Sequence, residues 1–301
     1  MVGIGSLTAR DVLRDGDARA ALEQLKQEVR KAPRDVALRT FLFQMFCVFG
    51  EWERAATQVT TAAELDPLAL PMSQAYRAVI RCEVLRKRVF AGARSPTIFA
   101  DPEPWMSLLV EANRVLASGK PDEAAGLRDD AFEQAPSVSG SVDGQDFEWI
   151  ADADPRLGPM LEAMIDGKYY WVPFHRIRTL DIEPPADLRD QVWMPVHFLW
   201  TNGGESYGFV PTRYPGSELA EDATLALAGR TEWQESGAWF LGLGQRMLTT
   251  DVADFALMDI RRIAFRAPDH AGDNAPPEAP TGPPAEAAHD GPDDAPGDAA
   301  V

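Results

Sequence analysis

The sequence predicts a multidomain protein with three parts. Divergent tetratricopeptide-like helical repeats cover residues 1–136. After a linker at 137–144, a small, aromatic-rich, mostly antiparallel β domain with an accompanying helix covers 145–266. A disordered acidic Pro/Ala tail covers 267–301. Three observations predict this division. First, Gly50, Ala55 and Pro67 repeat the internal spacing of Gly16, Ala21 and Pro33, which lie 34 residues earlier, and of Gly119, Ala124 and Pro136, 69 residues later; a 34-residue period is that of tetratricopeptide hairpins. Second, six of the eight tryptophans fall between Trp149 and Trp239, among runs that alternate apolar and polar residues at period two. Third, the last 35 residues hold eight prolines, eight acidic residues and no Lys or Arg.

In the helical half, Ser6 is placed to cap a first helix reaching about Arg14, and Asp17 to cap a second that carries Ala18, Ala21, Leu22, Leu25 and Val29 on one stripe. The next unit begins near Asp35 with a helix that is apolar nearly all round from Phe41 to Phe49, as expected of one buried between neighbours. Small residues at Ala21, Ala55 and Ala124 allow two helices to approach closely. Pro33, Pro67 and Pro136 stop each second helix, because proline lacks the amide hydrogen that would continue it. The repeat is divergent. The bulky aromatic expected early in each unit is missing, residues 68–91 read as one long helix, and 92–104, with Gly92, Pro96, Pro102 and Pro104, replace its partner. A third unit resumes at Trp105.

Residues 137–144 are rich in Ser and Gly and read as a short linker. Residues 154–165 read as one helix, with Asp154 as cap and Pro155 at its first position. Strand-like runs follow at 169–174, 176–182, 191–200, 207–210 and 239–248, with a last one near 258–265. In the longest, Val192, Met194, Val196, Phe198 and Trp200 share one face, and Thr201-Asn202-Gly203-Gly204-Glu205 supplies the left-handed positions of a hairpin turn. Pro173 and Pro195 suit edges or bulges, so a strongly bent sheet or partial barrel is expected. The tail cannot bury enough apolar surface to offset its ordering entropy, and its removal at residue 268 is expected to change neither stability nor peptide binding.

A formal charge of −18 argues against a nucleic-acid partner and against an anionic membrane, since both need a basic face. No charged segment followed by an apolar core opens the chain, and no apolar run reaches a membrane span, so a cytoplasmic protein is expected. Cys47 and Cys82 lie in apolar helical patterns without pair spacing and read as buried reduced thiols.

Chemistry is sparse. His175 and His197 lie in strand-like segments without a metal-ligand spacing, and His270 and His289 fall in the tail. Asp152 and Asp154 could approach a divalent cation, but the glycine and distal glutamate of a calcium loop are missing. Asn202-Gly203-Gly204 and Gly242-Leu243-Gly244 lack the lysine and following helix of a phosphate loop. No nucleophile sits beside a base. Catalysis and cofactors are therefore not expected; the alternative is a metal-dependent hydrolase built on Asp152, Asp154, His175 and His197. Arg77, Arg81, Arg86, Lys87, Arg88 and Arg94 stand out in an acidic chain, with Arg77, Arg81 and Arg88 on one helix face. They form either a solvated face or a strip that receives an acidic partner segment.

A colinear series of stretches resembles the ImpE/TagJ family of type VI secretion accessory proteins. It includes Leu13-Arg14-Asp15-Gly16-Asp17, Phe41-Leu42-Phe43-Gln44, Gly50-Glu51-Trp52-Glu53-Arg54-Ala55 and Val89-Phe90-Ala91-Gly92. It continues through Ile150-Ala151-Asp152-Ala153-Asp154-Pro155-Arg156-Leu157-Gly158-Pro159, Trp171-Val172-Pro173-Phe174, Arg213-Tyr214-Pro215-Gly216-Ser217-Glu218 and Gly242-Leu243-Gly244-Gln245-Arg246. The resemblance spans residues 7–266 and contains no catalytic motif. It implies a cytoplasmic, non-enzymatic adaptor that binds a helical segment of the small contractile-sheath subunit and touches sheath recycling by an AAA+ ATPase. The sequence adds an expected mode, an amphipathic helix laid in a helical-repeat groove. Phe43, Phe46, Trp52, Arg77 and Arg81 are the candidate contact residues. A general chaperone for unrelated clients is a third reading.

Overall fold

Thr8 begins the part of the chain, residues 8–266, that the computed structural model describes. Its hydroxyl accepts the Asp11 N–H at 3.3 Å while the Asp11 carboxylate accepts the Thr8 N–H at 3.0 Å, a reciprocal cap for helix α1 (Ala9–Arg14). Ser6, expected in this role, and the tail from residue 267 lie outside the described residues. Asp17 and Asp35 cap α2 (Ala18–Lys31) and α3 (Val36–Val48) at 2.8 and 3.0 Å. The helical half continues with α4 (Trp52–Leu65), α5 (Leu70–Phe90), a two-residue strand β1 (Thr97–Ile98), α6 (Pro104–Ala117) and α7 (Pro121–Gln134).

Three helical hairpins result, α1 with α2, α3 with α4 and α6 with α7. Gly16, Gly50 and Gly119 turn at φ of +96°, +66° and +82°, where a side chain would be strained. Ala21, Ala55 and Ala124 are fully buried, and each second helix ends two residues before its proline. The long α5 has no hairpin partner, and packs against α4 and the sheet.

The rest of the described chain is largely β: β2 (Gly140–Val142), β3 (Gln145–Phe147), β4 (Ile150–Asp152), β5 (Met160–Ile165), β6 (Lys168–Pro173), β7 (Ile177–Ile182), β8 (Trp193–Trp200), β9 (Glu205–Pro211), a one-turn α8 (Ala223–Ala226), β10 (Thr231–Ser236), β11 (Trp239–Gly244), β12 (Met247–Thr250), β13 (Asp254–Ala256) and β14 (Arg262–Phe265). A nine-stranded sheet has the order β1-β6-β5-β9-β8-β7-β14-β2-β3, and β1 and β3 are its edges. Only the β1–β6 pair is parallel; a three-stranded sheet β13-β12-β4 and the hairpin β10-β11 accompany it.

Three expectations are corrected. The helix expected over 154–165 is a turn followed by β5. Asp154 caps the turn through the Arg156 N–H at 2.9 Å, Gly158 takes φ +52°, and all six residues of β5 are buried between β6 and β9. A short apolar run buried on both faces has no periodicity to tell strand from helix. The expected accompanying helix is thereby absent among the described residues, where one-turn α8 and three short 3-10 turns interrupt the strands. Residues 137–144 are more than a linker, because β2 pairs with β14 so closely that a Cβ on Gly140 would meet the Ala264 carbonyl at 2.3 Å.

One core is shared between the helices and one face of the nine-stranded sheet. Phe43, Phe46, Tyr76 and Leu109 lie in the same cluster as Met160, Met164, Trp171 and Trp193. The opposite face packs a second cluster with Leu161, Ala163, Ile165, Met194, Val196, Phe198 and Trp200. β5 therefore feeds both cores by alternation. Of the six clustered tryptophans, Trp171, Trp193 and Trp200 are buried, whereas Trp149 and Trp233 are exposed and Trp239 is half-buried. Cys47 and Cys82 are buried and unbridged. No helix among the described residues is long and apolar enough to cross a membrane.

Candidate partner-binding interface

Polar residues lie deep where α5 meets the sheet. Arg86 of α5 donates to Glu162 of β5 through Nε at 2.6 Å and Nη2 at 2.9 Å, and also to the Arg213 carbonyl at 2.9 Å. The other side of Glu162 is taken by Arg246, which also pairs with Asp152 and donates to the Pro211 carbonyl at 2.8 Å. Tyr169 donates its hydroxyl to Glu162 and accepts the Trp171 indole N–H at 2.7 Å. Arg213 donates to the Cys47 and Val48 carbonyls at the end of α3 and to the Ala226 carbonyl. Such charges are tolerated in a core only when paired and hydrogen-bonded.

The electrostatics follow from this wiring. Burial would raise the Glu162 carboxyl, but Arg86, Arg246 and the Tyr169 hydroxyl hold it down at about 2. Burial pushes Asp152 up to about 6, with the Arg246 charge opposing and Asp154 adding repulsion. Arg128 of α7 is fully buried, and none of its three guanidinium nitrogens has a hydrogen-bond partner among the described residues. Burial lowers it to about 10, with Asp154 its main supporting charge.

This wiring leaves little for a metal. Asp152 is occupied by Arg246, the Tyr214 hydroxyl at 3.2 Å and the Asp154 N–H at 2.9 Å. Asp154 holds Arg156 and the Gly242 N–H at 2.7 Å. His175 pairs with Glu103 at 2.9 Å, while His197 stacks on Tyr207 and reaches Glu205 at 3.0 Å. The four side chains of the hydrolase alternative thus engage four different sets of partners. No group of three His, Cys, Asp or Glu among the described residues is arranged to hold a metal ion.

The candidate contact residues separate by burial. Phe43 and Phe46 are 0% and 1% exposed, inside the shared core, with Phe43 against Tyr76 at 5.6 Å. The run Phe41–Val48 of α3, apolar but for Gln44, is buried throughout and leaves neither ring at the surface. Trp52 is half-buried at the start of α4, tilted against Trp193 at 5.8 Å. It borders an open groove of about 640 Å³ between the α4 N-terminus and α5, which Val84, Arg54, Lys87 and Arg88 also line. Arg77 and Arg81 are exposed on α5, and Val84 and Arg88 continue their face at helical spacing. Arg86 leaves the expected basic strip and belongs to the buried network. Spacing gave no sign of that network; the visible signal was a lone Glu162 inside the apolar run of β5.

The description ImpE protein belongs to the family that matches residues 144–264. The chain is 41% identical over 264 residues to the type VI secretion system accessory component TagJ of Pseudomonas aeruginosa, an alignment covering 88% of this chain and 93% of that one. Among solved structures, the crystal structure of protein VPA1032 from Vibrio parahaemolyticus superposes with a TM-score of 0.79 at 26% identity, over 86% of this chain and 97% of that one.

Proposed function

This chain belongs to the ImpE/TagJ family of type VI secretion accessory proteins, and from that premise we propose that it is a non-enzymatic cytoplasmic adaptor whose α4–α5 groove receives a helical segment of the small contractile-sheath subunit. In this reading the three hairpins are a divergent tetratricopeptide-like array over residues 1–136, the sheet over 145–266 is its structural support, and the bound sheath subunit links the protein to recycling by the AAA+ ATPase. The observation that carries the proposal is the groove itself. Its half-buried Trp52 and exposed Val84 offer an apolar seat, while Lys87 and Arg88, with Arg77 and Arg81 along the same helix, offer positive charge on the α5 side; on the α4 side Arg54 is paired with Glu51, and Glu53 also lines the groove. A helix that lays an apolar stripe in such a seat with acidic residues on its flank suits both features.

Calorimetric titration of the full chain with a peptide of the sheath-subunit helix tests the proposal. Saturable binding that weakens with salt is expected. No heat at high micromolar peptide would overturn it.

A further inference from the structure

A second groove, of about 430 Å³, lies between the end of α7 and the strands β4 and β11. Phe132, Trp149, Trp239, Pro136, Pro155 and Pro159 form its apolar walls, and residues of β4 complete the lining. Trp149 is 41% exposed and Trp239 half-buried, with Trp239 held edge-on to Phe132 at 5.9 Å. β4 is the edge strand of its sheet, paired only with β12. Large aromatic side chains held half-open around a concave apolar site are the usual composition of an interface anchor pocket.

Exposed carboxylates flank its aromatic walls. Asp129 and Glu133, next to Phe132 on α7, are exposed, as are Glu148 and Asp251. Asp251 is fixed beside Trp149, accepting the Glu148 N–H at 2.8 Å and the Trp149 N–H at 3.4 Å. None of these four carboxylates forms an ion pair with a described residue. The only base on α7 is Arg128, which is fully buried and presents no charge to the surface.

We propose that this groove is a second docking site, distinct from the α4–α5 groove, for a basic partner segment that inserts one large apolar side chain between Trp149 and Trp239. The acidic rim selects lysine or arginine on both sides of the anchor and rejects an acidic segment. The two grooves therefore discriminate by charge: the basic α4–α5 groove takes acidic helices, and the acidic, aromatic groove takes cationic segments.

The test uses the full chain and a synthetic peptide with a central tryptophan between two leucines and two lysines at each end. Calorimetry should give saturable binding that weakens as salt rises. Asp129→Asn with Glu133→Gln should weaken binding severalfold, and Trp149→Ala about tenfold, as a buried aromatic anchor does. Trp52→Ala should leave it unchanged, which separates this site from the proposed adaptor groove. Trp149 lies outside both buried core clusters, and coincident melting curves establish that its variant folds. Equal binding of a peptide with glutamate in place of lysine, equal binding by the Trp149→Ala chain, or no binding of the lysine peptide would each overturn the proposal.

Discussion

Arg86 and Glu162 form a two-toothed ion pair across 76 residues of sequence, with Nε–Oε1 at 2.6 Å and Nη2–Oε2 at 2.9 Å, both side chains almost fully removed from water. The pair fastens the longest helix to a central strand of the sheet. Through Arg246 it continues to Asp152 on β4. The position of α5, and with it one wall of the α4–α5 groove, therefore depends on a charge pair in the interior.

Removing Arg86 takes the two-toothed partner from Glu162, which keeps only Arg246 and the Tyr169 hydroxyl, and leaves the buried Glu83 without its ion pair. Arg86→Ala should cost about 3–5 kcal/mol of unfolding free energy, read by urea denaturation. A loss below about 1 kcal/mol would mean that water reaches Glu162 and that the pair does not hold the helix to the sheet.

Arg128 predicts the opposite sign. A buried guanidinium without a hydrogen-bond partner costs stability, and methionine fills a similar volume without the charge. Arg128→Met should raise stability by about 1–3 kcal/mol in the same denaturation experiment. A destabilised variant would show that the Arg128 charge is needed beside Asp154.

The two carboxyls of the network make opposite contributions to pH dependence. Glu162 sits near 2 in the folded chain, below its ordinary 4.5, so the stability it supplies is present above 4.5 and is lost as pH falls toward 2. Asp152 is raised from 3.8 to about 6, so its contribution is full below 3.8 and is lost as pH rises through 6. Thermal melting between pH 4 and 7 should show Asp152→Asn lacking a decline that the parent chain has. Parallel profiles for the two proteins would contradict this assignment.

Trp52 should report on the groove without being essential to the fold. Trp52→Ala is expected to retain the helical and sheet signals in circular dichroism while losing the contact to Trp193. A loss of global folding would make Trp52 a core residue and remove it as a reporter of binding.

Much of the helical half was legible because its signals are local. Asp17 and Asp35 cap the helices expected of them, the stripe Ala18, Ala21, Leu22, Leu25 and Val29 is buried as a unit, and the three repeat glycines sit at left-handed turns. The period-two face of β8 and the turn around Gly203 were legible for the same reason. What stayed hidden depends on contacts distant in sequence. β5 reads as a helix because the two cores that bury its opposite faces, and its sheet neighbours β6 and β9, cannot be inferred from six residues. Arg86 looks like one more member of a basic strip until Glu162 lies beside it. The aromatic-rich segment hid a further distinction: Trp171 and Trp193 build the core, while Trp149 and Trp233 stand at the surface.

The most direct test of the adaptor reading is a calorimetric titration of the full chain with the sheath-subunit helix peptide, run beside Trp52→Ala and the double variant Arg77→Glu with Arg81→Glu. The account predicts saturable binding to the parent chain, weakening of about tenfold or more for each variant, and a flattened salt dependence for the charge reversal. Equal affinity for all three proteins, with the same salt slope, would contradict it.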